Sequence, residues 1–218
     1  MPFSQRSGDI YWSPIRDHKE QSTKNINEEF NPKKWKPVYA NTAFLFTTKH
    51  DEFWATKIIM QFSDEILEKI VNAANFSDPS VRQDTINFLI DRRNKIAQYW
   101  LTELNPLDNF QIDLSDGKTI VLFDDLAVKA NVVPTKDRKY RYRLRTVNNK
   151  TKLMEWMTTE ETKVTIPEEI VGEMKPNKIY ILQLQTKSPT DKFWGLSIDV
   201  FIKKNQDIKI QGLNRRYM

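Results

Sequence analysis

The spacing of apolar and polar positions changes once along the chain, and the change divides it. From Asp78 to Leu104 apolar residues recur at helical spacing. At about 100° per residue, Val81, Phe88, Leu89, Ile96, Tyr99 and Trp100 share one face and Ile86, Ile90, Ala97 and Leu101 widen it. Asp84, Asn87, Asp91, Asn94, Lys95 and Gln98 are left for water. Asp78-Pro79 opens this helix: a carboxylate accepts the first free backbone donors, and proline follows where its missing N–H costs nothing. A helix apolar over more than half its circumference must be covered on several sides. Arg92 falls inside the apolar arc and Arg93 beside it. An unpaired charge there is costly, so both arginines are expected in a structural clamp, with acids at the starts of two shorter helices (Asp51, Glu52, Asp64 or Glu65) and the open carbonyls at helix ends as acceptors.

Those shorter helices precede the long one. His50-Asp51-Glu52 opens the first, with Phe53, Trp54, Ile58 and Phe62 near helical spacing. Ser63 caps the second, whose stripe is Ile66, Leu67, Ile70, Val71 and Ala74. Short links favour antiparallel packing, which predicts a three-helix unit over residues 35–106. Trp35 to Tyr39 and Phe44 to Phe46 form an aromatic entry to it, extended around Pro37. Residues 1–34 are polar and proline-punctuated, an extended arm that Phe3, Tyr11, Trp12 and Phe30 would pin to a surface.

After Asn105-Pro106 the period becomes two. Strands are predicted over 110–114, 118–123, 139–147, 152–157, 162–166, 178–186, 193–203 and 207–213, with Ser115-Asp116-Gly117 as a hairpin turn. Many short strands divided by Pro, Gly, Asn and Asp clusters predict an antiparallel sandwich of immunoglobulin or fibronectin-III type over 107–218. The fold class is therefore α+β: an extended arm, a small helical unit and an all-β sandwich.

Composition narrows the function classes. The 218 residues are 39% hydrophobic, 29% charged and carry a net charge of +5, a small dispersed excess that does not point to nucleic acid. Without cysteine there is no disulfide, thiolate metal site or thiol nucleophile. No stretch approaches the length of an apolar membrane span. The compartment depends on the chain's extent: cytoplasmic if it is complete, exported if it is a fragment of a longer precursor.

Catalytic constellations are missing from the pattern. His18 and His50 have no triad or metal-ligand spacing, the five glycines never cluster into a phosphate-cradling loop, and Asp124-Asp125 is a pair of adjacent acids whose side chains diverge. No catalytic residue, metal or cofactor is expected. The strongest electrostatic feature is Arg141, Arg143 and Arg145, which alternate with Tyr140, Tyr142 and Leu144. Three guanidinium groups at about 7 Å spacing on one strand face either form a solvated outer face paired with neighbouring acids or engage phosphates or sugar carboxylates.

Trp35-Lys36-Pro37, Tyr39-Ala40-Asn41, Ala43-Phe44, Asp51 with Phe53-Trp54-Ala55, Lys57-Ile58, Phe62-Ser63-Asp64, Ser77-Asp78-Pro79 and Leu89 to Lys95 resemble an uncharacterised family of large bacterial proteins. The resemblance covers residues 30–105 and implies the carboxyl-terminal part of such a protein, a helical block and then a β domain behind a kinase-like region. That region's acidic motifs have no counterpart here, so no activity carries over. The expectation is a non-catalytic binding or structural module whose partner is another protein or an upstream domain. The alternatives are support of an upstream kinase-like enzyme domain, and anionic-polymer binding through the Arg141, Arg143 and Arg145 face.

Overall fold

A computed structural model describes residues 30–35, 41–114, 117–148 and 152–217. The chain divides into two compact units between Trp100 and Leu101. No described helix is long and apolar enough to cross a membrane.

The first unit holds α1 (Thr42–Leu45), α2 (Lys49–Ile59), α3 (Asp64–Ala73) and most of α4 (Pro79–Glu103). Side chains at each start satisfy the backbone donors that a helix leaves open. Thr48 and Asp51 form a reciprocal capping box on α2, Ser63 accepts from Ile66 N on α3, and Asp78 accepts from Ser80 N at 2.7 Å before α4. Phe44 and Leu45, read from sequence as part of the aromatic entry, lie in α1, because the Asn41 side chain accepts from Ala43 N and fixes a helical turn. Residues 36–40 and the arm's first 29 residues fall outside the described residues; the arm's described end, Phe30–Lys34, turns at Asn31.

The apolar arc of α4 is not uniformly covered. Ile86 and Ala97 are buried, Phe88, Leu89, Ile96 and Trp100 are half-buried, and Val81 is exposed. Leu89, Ile96 and Trp100 are incompletely covered for a physical reason: they line a cavity of about 390 Å³ within this unit.

The second unit is a β-sandwich. Its strands are β1 (Leu107–Asp113), β2 (Thr119–Asp125), β3 (Lys139–Thr146), β4 (Met157–Thr159), β5 (Lys163–Ile166), β6 (Ile179–Lys187), β7 (Ile198–Lys204) and β8 (Ile208–Arg215). A three-stranded sheet, β1-β2-β5, faces a five-stranded sheet, β4-β3-β6-β7-β8, and every pairing is antiparallel. This is the fibronectin-III order with one strand added beyond the seventh. Leu107, Val121, Phe123, Val164 and Ile166 from one sheet meet Tyr142, Leu144, Leu182, Leu184, Ile198 and Val200 from the other in a single core. The tyrosine at the start of β6 completes the likeness: Tyr180 Oη accepts from the backbone N–H of Lys175 at 2.7 Å, a tyrosine corner.

Two strands differ from expectation. The fourth occupies 157–159 rather than 152–157, because the N–H groups of Leu153 and Met154 both turn onto Leu144 O and bend the chain out of the ladder. Residues 193–197, expected in β7, form a link that Gly195 holds close by donating to Thr186 O at 2.9 Å. Two short helices occupy links: α5 (Leu126–Lys129) after β2, where a helical turn was expected, and α6 (Glu168–Glu173) after β5.

Candidate functional site

In the helical unit the two arginines of α4 take different roles. Arg93 Nη2 pairs with Asp64 Oδ1 at 2.6 Å, and its Nη1 donates to Phe62 O at 2.6 Å. One planar guanidinium thus ties the chain before α3 to the first acid of α3. Arg92 lies between aromatic rings, its guanidinium carbon 4.4 Å from the centroid of Phe30 and 4.3 Å from that of Phe88. Asp51 joins neither arginine. Its Oδ2 accepts from Thr48 N at 2.8 Å, and bonds from Thr48 hold its carboxyl below the usual range. Arg92 and Arg93 line the cavity with Glu52, whose carboxyl burial pushes up.

On β3 the expected alternation is present. Tyr140, Tyr142 and Leu144 enter the core, and the arginines take the outer face of the five-stranded sheet. The three do not form one free row. Arg145 is only 5% exposed and pairs with Asp199, itself 3% exposed, at 3.2 Å. Asp199 also accepts from Gln183 Nε2 at 2.8 Å and Arg216 Nη2 at 2.7 Å, so it is the acidic centre of a closed network. Arg145 therefore leaves the anion-binding face that the sequence pattern suggested: its charge is taken up inside the protein.

Arg141 and Arg143 are differently placed. Each donates its Nε to the glutamine opposite on β6, Arg141 to Gln185 Oε1 at 2.7 Å and Arg143 to Gln183 Oε1 at 2.8 Å. Both guanidinium groups lie over the Trp156 ring, at 4.4 and 4.6 Å from its centroid, and Arg141 also lies 4.7 Å from that of Trp194. Nε is used and the planes are stacked, yet the terminal nitrogens of both make no hydrogen bond among the described residues. Neither forms an ion pair there, whereas Arg138, Arg145, Arg215 and Arg216 of the same unit each meet a carboxylate. The two charges also bear on each other: burial first, and the charge of Arg143 second, draw the Arg141 pKa down. Indoles and glutamines thus hold in fixed orientation two cations that meet no carboxylate among the described residues.

Tryptophan partners were invisible in the strand pattern, because Trp156 and Trp194 come from links beyond β3 and β6. Asp125 was also missed. Read as half of a bare acidic pair, it is buried: Oδ1 accepts from Ala127 N to cap α5, and Oδ2 accepts from Arg138 Nε at 2.9 Å and from Tyr140 Oη at 3.2 Å. Its neighbour Asp124 faces outward to Lys129 at 2.7 Å, so the two carboxylates serve separate structural bonds. His50 lies on α2 and His18 falls outside the described residues, while no cluster of three metal-ligating side chains occurs among those described. No protein-family model and no curated protein matches the chain.

Proposed function

We propose that this chain is a binding module without catalytic groups of its own, and that its sandwich holds an extended acidic polypeptide segment along β3. One observation carries the reading: Arg141 and Arg143 are oriented by Trp156, Gln183 and Gln185 but have no anionic partner among the described residues. A guanidinium fixed by its Nε and its flat face keeps a two-nitrogen fork free for a carboxylate. Residues i and i+2 on one strand face stand about 7 Å apart, the spacing of alternate side chains in an extended peptide. A segment bearing Asp or Glu at every second position would therefore match both forks at once. Prior stacking means that little side-chain entropy is lost on binding.

Titration with poly-L-glutamate tests this, following the tryptophan fluorescence that Trp156 and Trp194 report. Saturable quenching that weakens steeply with salt supports the reading. Signal unchanged by the polymer at low salt, or quenching equal in an Arg141→Gln/Arg143→Gln variant, overturns it.

A further inference from the structure

We infer a second binding site in the sandwich unit, a cavity that accepts a neutral, hydroxyl-rich ring of the pyranose type. The cavity measures about 470 Å³, within the range of about 300–1,000 Å³ typical of small-ligand sites. It lies where the end of α4 and residues Leu104–Pro106 meet the link of residues 188–197.

Its inner wall carries Arg138, which is 5% exposed. Arg138 Nε is held by Asp125 at 2.9 Å and Nη1 donates to Ser188 Oγ at 2.6 Å. The remaining Nη2 has no acceptor among the described residues. Nη2 is not among the sealed polar atoms that lack a partner, so it opens to the cavity that Arg138 lines. With Nε and Nη1 held, Nη2 offers two oriented N–H donors to a guest.

Charge decides the guest's class. Arg138 is neutralised by Asp125, and the lining holds one further cation and one anion, Lys192, whose Nζ lies 5.5 Å from the Phe193 ring, and Asp191, which accepts from Ser188 N, so the charges balance in number. Thr186, Ser188 and Thr190 provide hydroxyls that both donate and accept. Leu104 and Leu196 provide apolar wall. Phe193, 74% exposed at the mouth, provides an aromatic plate. Hydroxyl edges with an apolar face describe a sugar ring: its C–H face lies on the aromatic and its hydroxyls meet the guanidinium and threonines. Gly195 sets the shape. A Cβ there would stand 3.2 Å from Thr186 O, so a side chain at this position would need the link or the strand to give by a few tenths of an ångström.

Saturation-transfer NMR on the full chain is the test, with D-glucose, D-galactose, N-acetyl-D-glucosamine and the β-1,4-linked trisaccharide of the last as probes. Transfer from at least one of them is expected, with the signal centred on ring C–H protons. A free sugar is the guest if monosaccharides suffice, and a glycan end is the guest if only the trisaccharide responds. Phe193→Ala, at a position 74% exposed, should weaken binding about tenfold, while Trp54→Ala, an exposed aromatic of the helical unit, should leave it unchanged. No transfer from any of the four, or equal transfer from the Phe193→Ala variant, would overturn the assignment.

Discussion

Arg145 and Asp199, 54 residues apart in sequence, form a buried ion pair across the outer face of the five-stranded sheet. It separates what is structural on that face from what is available. Removing the acid strands Arg145 and takes an acceptor from Gln183 and Arg216. Asp199→Ala should therefore cost about 3–5 kcal/mol, read as a lower midpoint in urea denaturation at unchanged slope. Joint replacement of Arg145 and Asp199 by methionine and leucine should cost much less. An equal loss in the double variant would show that packing rather than the stranded charge sets the penalty.

In the helical unit, Arg93→Ala removes the bonds to Asp64 and Phe62 O. Asp64 is largely exposed, so water takes over its half of the pair, and the main loss is the carbonyl's charged donor. The expected cost is about 1–2 kcal/mol. Arg93→Lys should recover only part of it, since an ammonium does not span both acceptors in one plane. Thermal unfolding of the two variants side by side measures the difference.

Tyr180 gives a smaller and cleaner test. Tyr180→Phe keeps the ring in the core and deletes only the acceptor of the Lys175 N–H. A loss of about 1 kcal/mol is expected, with the sandwich still folded by circular dichroism.

Glu52 sets a pH dependence of known sign. Burial raises its carboxyl above the ordinary value of 4.5, so the folded state binds this proton more tightly than the unfolded state. Its contribution to stability is complete below that ordinary value and is lost as pH rises through the higher folded value. Glu52→Gln should accordingly melt above the parent at about pH 7 and with it at about pH 4. A variant that melts below the parent at neutral pH would mean that the carboxylate is held by a partner.

Local signals were legible in the sequence and distant partners were not. Ser63 and Asp78 cap the helices they were read to cap, because a cap is decided within four residues. The alternation along β3 also placed tyrosines inside and arginines outside, since side-chain direction has period two in any strand. What period two leaves open is the identity of the neighbours. Arg145 had the same pattern as Arg141 and Arg143, yet only Arg145 reaches Asp199, a relation created by the pairing of β6 with both β3 and β7. For Arg92 acids and open helix-end carbonyls were the partners expected, and the faces of Phe30 and Phe88, distant in sequence from any charge pattern, receive its guanidinium as well.

Peptide register tests most directly whether Arg141 and Arg143 hold carboxylates at strand spacing. Two peptides about ten residues long, equal in composition, would be titrated by calorimetry, one with glutamates at alternate positions and one with the same glutamates in a block. The account predicts tighter binding of the alternating peptide. It also predicts a loss of roughly tenfold or more for either Arg141→Gln or Arg143→Gln, as expected for one charge-assisted fork. Equal affinity for both peptides would reduce the face to unspecific charge, and no binding of either at low salt would contradict the account outright.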